Sequence, residues 1–249
     1  MSGISPLEQF LVVDFSTGIP GGYCTKMLAD AGAEVVKLEP PEGDPLRRWS
    51  ASGARIAGDD DGALFHFLGC SKRSVRIDPT SATDCEFAKG LISRADAIVW
   101  SPGSRLAEHP GFSPSALREG APGAVITSIT PFGLDGPWSE RAATEFTLQA
   151  WSGGIGPRGT PDRAPVSAGG RPGEWLAGMF ATVGILAARH RTLLTGVGEL
   201  LDVSILESLI LTQNMYSCRS TRSPADLIGE AAESICLLSS VPRTDGSVS

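Results

Sequence analysis

One glutamate stands where a Pro/Gly-rich loop gives way to an apolar stretch with helical spacing. The loop ends in Gly173-Glu174-Trp175, and the apolar residues Leu176–Ala188 follow at once. The first turn of a helix has free backbone N–H groups and a dipole that favours negative charge. A carboxylate held there could serve as an acidic nucleophile or as an acid/base group. An ordinary first-turn Glu, which stabilises its helix by about 0.3–1 kcal/mol, has the same spacing, so both interpretations stay open.

Short apolar strands alternate with helices along most of the chain around Glu174. β-Branched runs bounded by turn residues predict strands, and apolar residues at helical spacing predict helices. The predicted strands are Phe10–Phe15, Glu34–Leu38, Ser74–Ile77, Ala97–Trp100, Ala124–Ile129 and Leu200–Val203. The predicted helices are Tyr23–Ala31, Cys85–Ser93, Ser115–Arg118, Glu145–Trp151, Leu176–Arg189 and Ile205–Tyr216. Strands joined by helical crossovers pair in parallel, so we expect an α/β fold with a Rossmann-like open parallel sheet and flanking helices.

The connection between the first strand and the first helix is rich in glycine. It reads Ser16-Thr17-Gly18-Ile19-Pro20-Gly21-Gly22. It follows the carboxyl end of a strand, which is where open α/β sheets bind their ligands. The connection lacks the Gly-x-Gly-x-x-Gly pattern, so nothing in it indicates a nicotinamide dinucleotide. A tight turn without a ligand would use the same residue types, and the residues alone leave that alternative open.

Composition excludes several classes of protein. The chain has 249 residues, 41% of them hydrophobic, and a formal net charge of −7. Binding to nucleic acid needs a dense basic face, so we expect no nucleic acid partner. The chain has no apolar run of about 18 residues and no signal-peptide pattern, so we expect no membrane association and a cytoplasmic location. Five cysteines without Cys-x-x-Cys spacing favour reduced, mainly buried thiols over disulfides or a zinc site.

Positive charge concentrates in the N-terminal third of this acidic chain. The cluster consists of Lys37, Arg47, Arg48, Arg55, Lys72, Arg73 and Arg76. An ordinary solvated surface would explain it. A local positive patch for one small polyanion, such as a nucleotide phosphate, would explain it equally well.

Five segments, in order along the chain, carry a resemblance to a known family. They are Val12–Ser16, Gly21–Arg47, Ser71-Lys-Arg-Ser-Val75, Thr130-Pro-Phe-Gly-Leu-Asp-Gly-Pro-Trp138 and Thr195-Gly-Val-Gly-Glu199 with its continuation Asp202-Val-Ser204. Together they resemble the family III CoA-transferases, the group of formyl-CoA transferase, carnitine CoA-transferase and α-methylacyl-CoA racemase. The resemblance implies an enzyme that processes acyl-CoA, with coenzyme A as its cofactor and no metal.

The resemblance gives Glu174 a specific role. In the transferases an Asp at the start of the helix attacks the thioester of the donor acyl-CoA. A mixed anhydride and then an enzyme-bound thioester form, and CoA passes to a small carboxylic acid. Glu174 takes that position, so the chain departs from the family by one methylene, and a displacement of about 1 Å can cost ~10²-fold in rate. We therefore expect a nucleophile, and keep a non-covalent acid/base and a structural relic as alternatives.

A second acidic residue, Glu145, lines up with one that lies near the active site of the transferases. Racemases of the group use a His near this point, but the chain has no histidine between His109 and His190. A racemase is therefore the second interpretation. A Glu145/Glu174 pair with pKa values pushed apart by repulsion keeps lyase-like or hydratase-like chemistry on an acyl-CoA open as well.

The resemblance also predicts a CoA site. Thr17, Gly18, Ile19 and Pro20 would line it, and Lys72 and Arg73 match the family's basic pair beside the nucleotide. We expect a phosphate contact from one of that pair. Arg105 is a further candidate, in a segment shorter than that of the family.

The resemblance to the family's large domain covers residues 1–217, and 218–249 match a linker and the start of a second, small domain. We expect a complementary subunit carrying that domain, in a homo- or hetero-oligomer. Exposed apolar surface would then lie on Ile205–Tyr216 and Ile235–Leu238. The alternative is a non-catalytic subunit or a truncated remnant.

Overall fold

Six parallel strands form one open sheet in the order β3-β2-β1-β4-β5-β6. The computed structural model describes residues 5–57, 60–156, 158 and 162–220. The strands are β1 (Leu11–Asp14), β2 (Glu34–Glu39), β3 (Lys72–Arg76), β4 (Ala97–Trp100), β5 (Val125–Thr130) and β6 (Glu199–Ser204). The helices are α1 (Gly18–Asp30), α2 (Ala63–Gly69), α3 (Ala82–Ile92), α4 (Pro114–Gly120), α5 (Glu145–Trp151), α6 (Pro172–Thr195) and α7 (Ile205–Ser220). The predicted Rossmann-like α/β fold is confirmed.

The strand order reverses beside β1, and this reversal creates a crevice. Val12 pairs with Val35 of β2 on one side and with Ala97 of β4 on the other. The chain runs outward from β1 through β2 to β3 and then crosses back to β4, so the connections after β1 and β4 diverge. Open α/β sheets bind ligands at the carboxyl ends of such strands. The segments after Asp14 and Trp100 therefore flank a candidate ligand site.

Neighbouring residues of each strand face two different cores, as the alternation of side chains along a strand requires. Val12 faces a core shared with α1, α6 and α7, which contains Leu28, Ile185 and Leu209. Val13 faces the other core, which is formed with α3 and α4. Helices α1 and α6 therefore lie against the same face of the sheet.

Helix α1 begins at Gly18, five residues before the predicted start at Tyr23. The glycines that predict a loop lie inside the helix because they make room for neighbours. A Cβ on Gly21 would come within 1.9 Å of the Ser16 hydroxyl, and one on Gly22 would press on Leu68. The expected loop Thr17–Pro20 is thus the N-cap and first turn of a helix.

The start of β3, the missed helix α2 and the burial of the cysteines also differ from the predictions. Strand β3 begins at Lys72 rather than Ser74, and sequence patterns missed α2, a single apolar segment whose Phe65 and Leu68 are buried. Cys24 is buried, Cys85 partly buried and Cys70 exposed, and none of the three forms a disulfide within the described part of the chain. The expectation of mainly buried thiols is therefore wrong for two of these three.

The C-terminal end of the described structure is α7. It continues to Ser220, so the expected boundary after residue 217 falls inside this helix. Residues 221–249, including the predicted apolar segment Ile235–Leu238, lie outside the described residues. Among the helices of the described ranges, none combines the length and the apolar character needed to cross a bilayer.

Candidate active site

Glu174 lies in the first turn of α6, as predicted, and its side chain is buried. Its Oε1 forms an ion pair with the guanidinium of Arg171, three residues earlier. Its Oε2 is buried and has no hydrogen-bond partner within the described part of the chain. An unpaired buried carboxylate oxygen is costly, so this atom is a candidate for contact with a ligand.

Glu145 is held beside Glu174, so the structure brings the two predicted acidic residues together. Glu145 is the first residue of α5, behind a capping box formed by Thr144 and Thr147. Its Oε1 accepts hydrogen bonds from the backbone N–H of Gly173 and from Gln149 Nε2, both at 2.9 Å. Its Oε2, like that of Glu174, has no partner among the residues described.

Burial raises the pKa of Glu174 from 4.5 to about 7. The Arg171 guanidinium opposes the rise, and the negative charge of Glu145 adds to it. Near pH 7 the carboxylate and the carboxylic acid forms of Glu174 are therefore both populated. Such a group can act as a nucleophile or transfer a proton without a large change in driving force.

Arg171 is a site residue that the sequence analysis missed. It is the N-cap of α6 and has a left-handed backbone with φ of 58°, directly after Gly170 with φ of 81°. The indole Nε1 of Trp175 donates to the Gly170 carbonyl at 2.9 Å and holds this turn. The i,i+3 spacing of opposite charges between Arg171 and Glu174 was the signal present in the sequence.

Gln149, also missed, is fully buried and uses both ends of its amide. Its Nε2 donates to Glu145 Oε1 and to the Ala168 carbonyl at 3.0 Å. Its Oε1 accepts from the Ala168 N–H at 2.8 Å and from Arg158 at 3.2 Å. Gln149 therefore ties the chain leading into α6 to α5 and fixes the orientation of the Glu145 carboxylate.

The N-terminus of α1 lies close to the start of α6. A Cβ on Gly178, one turn after Glu174, would come within 2.6 Å of the Pro20 carbonyl oxygen. Thr17, the N-cap of α1, lends no side-chain cap to the helix, and no acidic residue occupies the first turn. The free N–H groups of this turn suit an anion. Pro20 thus lies against the turn of α6 that follows Glu174, and Thr17, Gly18 and Ile19 directly precede it at the start of α1.

The connection after β4 forms the other side of the crevice. The backbone N–H of Thr17 donates to Ser101 Oγ at 2.9 Å, and the Thr17 hydroxyl donates to the Pro102 carbonyl at 3.3 Å. Arg105 follows in the same connection, with an exposed side chain 4.0 Å from the Glu42 carboxylate. The structure therefore brings the segment of Arg105 to the start of α1.

Lys72 and Arg73 do not lie together, because neighbouring residues of a strand point to opposite faces. Lys72 Nζ is buried and donates to the Gly22 carbonyl at 2.7 Å and to Thr25 Oγ1 at 2.6 Å. Burial lowers the pKa of Lys72 to about 8. Arg73 is exposed on the other face and forms an ion pair with Glu34. Of the pair, Lys72 is the one that lines a small cleft beside α1.

Two members of the N-terminal basic cluster, Lys37 and Arg47, are neutralised by buried carboxylates. The buried Lys37 Nζ lies 3.0 Å from an Asp44 carboxylate oxygen and 3.9 Å from one of Asp14. Arg47 pairs with the buried Glu39, whose pKa burial would raise; hydrogen bonds led by that from Arg47 outweigh burial and lower it to about 2. Neither a solvated surface nor a free positive patch describes these residues.

The combined arrangement offers carboxylate chemistry beside an anion-binding helix end. Within the described ranges, no three His, Cys, Asp or Glu side chains come together as a metal site would require. His66 and His190 are exposed, and His109 caps the short 3₁₀-helix Pro110–Phe112. The candidate reactive groups are therefore Glu174 and Glu145, with Arg171 as their cationic neighbour.

Comparisons with known proteins indicate one family. The family model for CoA-transferase family III matches residues 7–249. Succinate–glutarate CoA-transferase of Agrobacterium fabrum is 31% identical over 252 residues, which cover 97% of this chain and 62% of the relative. The succinyl-CoA–L-malate CoA-transferase alpha subunit of Chloroflexus aurantiacus is 31% identical over 82% of this chain and 47% of its own length. A CAIB/BAIF family protein from Brucella suis shares the fold with a TM-score of 0.80 and 27% identity, over 88% of this chain and 58% of that one. The chain thus spans about half to three fifths of the length of these relatives.

Proposed function

The chain belongs to CoA-transferase family III, and we propose that it transfers CoA from an acyl-CoA to a small carboxylic acid through Glu174. One observation carries the proposal. A buried carboxylate, with one oxygen that has no partner among the described residues, lies in the first turn of α6, and the next turn of α6 packs on the start of α1. A nucleophile and an anion-binding helix end are therefore adjacent, as an acyl-CoA substrate requires.

The proposed reaction has four steps, each a substitution at an acyl carbon. A Glu174 oxygen attacks the thioester carbonyl, the C–S bond breaks, and CoA leaves as the thiolate. The thiolate attacks the glutamyl carbonyl of the mixed anhydride, which releases the donor carboxylate and forms a glutamyl-CoA thioester. The acceptor carboxylate attacks this thioester and again expels the thiolate. The thiolate then attacks the acceptor carbonyl, so that a new acyl-CoA leaves and Glu174 is restored.

This chain's own residues support these steps in separate ways. Glu174 must be ionised to attack, and with a pKa of about 7 a large fraction is ionised at neutral pH. Glu145 accepts a hydrogen bond from the backbone N–H of Gly173. This donor is therefore not available to the Glu174 carboxylate. The protein needs no net proton transfer in any step, which suits a site with two carboxylates and no nearby described histidine.

CoA is proposed to bind in the crevice at the reversal of strand order. The first-turn N–H groups of Gly18 and Ile19, which the Thr17 side chain does not cap, and the cation of Lys72 supply positive potential on the side of α1. Arg105 supplies an exposed guanidinium on the opposite side. Arg73 faces away from this cleft, so Lys72 is the member of the basic pair that we assign to a phosphate contact.

A second candidate function is proton transfer at the carbon next to a thioester, as in a racemase or lyase. The observation that favours it is the pKa of Glu174, which lies close to neutral pH beside a second carboxylate. Exchange of the substrate α-proton in deuterated water, without an adduct on Glu174, would favour this reaction over CoA transfer.

We also propose a complementary polypeptide as partner, because one side of α6 is apolar and exposed. The face, here called the α6 apolar face, consists of Met179, Phe180, Val183, Leu186, Leu193 and Leu194. Contiguous apolar surface of this kind is typical of a protein interface. The relative from Chloroflexus aurantiacus is named an alpha subunit, which supports the proposal of a partner chain.

Intact-mass measurement tests the proposed function. The chain, purified with any polypeptide that accompanies it, is incubated with succinyl-CoA, and an increase equal to CoA minus water is sought on the peptide that carries Glu174. We expect the adduct in the native protein and its loss in Glu174→Gln. Glu207→Gln is the matched control, since Glu207 is an exposed first-turn glutamate of α7. An unchanged adduct in Glu174→Gln would remove Glu174 from the mechanism.

A further inference from the structure

A half-exposed guanidinium lies against the proposed nucleophile. The side chain of Arg171 is 44% exposed, whereas that of its partner Glu174 is 11% exposed. An arginine presents five N–H donors in a planar fork, so contact with one carboxylate oxygen leaves donors for a second anion. The exposed part of Arg171 is therefore accessible to a substrate that approaches Glu174 from solvent.

Acceptor binding poses an electrostatic problem at this site. The acceptor is itself a carboxylate, and it must approach a place where Glu174 and Glu145 already contribute negative charge. Each of these residues also has a buried oxygen without a partner among the described residues. Like charges repel strongly where water is excluded, so an anionic substrate needs a cation at the point of entry. Arg171 is the cation that the described structure places in contact with Glu174.

The charge of Glu174 changes during the proposed reaction. Once Glu174 carries the acyl group or CoA, its carboxylate has become a neutral anhydride or thioester. Arg171 then loses its counter-ion at the stage when the acceptor must bind. We propose that Arg171 is the anchor for the acceptor carboxylate, paired with Glu174 in the resting protein and released to the acceptor when Glu174 is acylated. This inference rests on the proposed function and adds an acceptor subsite to it.

The backbone fixes where the anchor points. Arg171 and Gly170 both have left-handed conformations, and the Trp175 indole holds the Gly170 carbonyl. The left-handed backbone conformation is strained for a residue other than glycine, and residues strained in this way cluster at functional sites. The turn directs Arg171 back over the first turn of its own helix, onto Glu174. An anchor in that place would hold the acceptor carboxylate beside the acyl carbon that it must attack.

The subsite can be tested without turnover, because Glu174→Gln imitates the uncharged state of the acylated residue. Calorimetric titration with succinate at pH 8 compares the native protein, Glu174→Gln, and Glu174→Gln combined with Arg171→Met. We expect Glu174→Gln to bind succinate at least tenfold more tightly than the native protein, and the double variant to lose that gain. Equal affinity in all three proteins would overturn the anchor.

Kinetics test the same assignment in the working protein. Arg171→Met should raise the KM for succinate at least tenfold, measured as discharge of an adduct that has already formed. Discharge of the same adduct by hydroxylamine, a neutral nucleophile, should stay within twofold of normal, and Arg171→Lys should recover part of the succinate KM. Arg191→Met is the matched control, because Arg191 lies exposed on the same helix and pairs with Glu199. An unchanged succinate KM, or hydroxylamine discharge slowed as much as succinate discharge, would overturn the anchor.

Absence of any adduct in the native protein would instead overturn the proposed function, and the calorimetric comparison would still decide on the anchor.

Discussion

The raised pKa of Glu174 predicts how the folding stability of the protein depends on pH, and this prediction is independent of catalysis. A carboxyl group whose pKa is higher in the folded protein than in the unfolded chain takes up a proton on folding. Its contribution to stability is complete below the unfolded value of 4.5 and is lost as pH rises through about 7. Glu174→Gln removes the titrating group while it keeps the size of the side chain. The variant should therefore be more stable than the native protein at alkaline pH.

The magnitude follows from the shift. One unit of pKa corresponds to about 1.4 kcal/mol, so a rise from 4.5 to about 7 corresponds to about 3 kcal/mol between pH 4 and pH 9. This value already contains the attraction to Arg171, which lowers the pKa of Glu174. Arg171 is half exposed, so water can solvate it when its partner is removed. We expect Glu174→Gln to gain about 2–3 kcal/mol at pH 8.5 and about 0–0.5 kcal/mol at pH 5.

Thermal unfolding at a series of pH values measures the difference. For a domain of this size, 1 kcal/mol shifts the melting temperature by about 2–4 °C, so the variant should melt roughly 5–10 °C above the native protein at pH 8.5. The advantage should fall to within about 2 °C at pH 5. Glu207→Gln, an exposed first-turn substitution on α7, should stay within about 0.5 kcal/mol at every pH.

Two results would refute the reasoning. A stability advantage of Glu174→Gln that is equal at pH 5 and pH 8.5 would show that packing, not charge, separates the two proteins. No advantage at any pH would show that the Glu174 carboxylate is solvated or fully compensated. Either result would also remove the argument that Glu174 populates both protonation states near neutral pH.

Two further predictions test the surroundings of the site. Gly178→Ala should destabilise the protein by about 1–3 kcal/mol, since its Cβ would lie 2.6 Å from the Pro20 carbonyl oxygen and force α1 and α6 apart. Gly184→Ala is the control, because its Cβ would meet only a Leu side chain, at 3.1 Å, and thermal melting compares the two. Lys72→Met should weaken CoA binding at least tenfold by calorimetry, whereas Arg73→Met should leave it within twofold. Equal losses from the two substitutions would contradict the assignment of Lys72 to the cleft.

Local patterns predicted most of the elements because their signals are local. The strand Ala97–Trp100 and the helix Glu145–Trp151 were predicted with their observed bounds. Both have uninterrupted runs of residues that favour their structure, between clear turn or cap residues. The parallel pairing of the strands followed from the alternation of strands and helices, since strands joined by helical crossovers run in the same direction.

The errors arise where a residue's role depends on distant parts of the chain. Gly21 signals a turn by its type, but it lies within α1 because a side chain there would collide with Ser16. The strand was predicted to begin at Ser74, yet β3 begins at Lys72, whose side chain is buried. Its ammonium group donates to Gly22 and Thr25 and lies 3.8 Å from Asp14. No window of neighbouring residues contains these partners.

Glu174 was predicted from helix-start spacing and from the family resemblance, and Glu145 from the resemblance alone. Arg171 and Gln149 escaped because their roles come from one left-handed turn and from one fully buried amide. Neither feature has a distinctive residue pattern. The sequence shows only opposite charges at i,i+3 and a Gln four residues after a Glu, and both spacings are common on helices.

The contacts of Glu174 bear on the proposal that it replaces the aspartate that the family resemblance implies at this helix start. A glutamate carries its carboxylate about one methylene further from the helix than an aspartate, and a misplacement of about 1 Å can cost ~10²-fold in rate. Here Arg171 reaches Oε1 of Glu174 from a left-handed N-cap, and Glu145 takes the Gly173 N–H from the other side. These contacts define one orientation for the longer side chain, and Oε2 has no partner among the described residues, so it is the oxygen open to a substrate. Arg171 and Glu145 therefore position Glu174 at this helix start, and the substitutions that test the acceptor anchor also test that positioning.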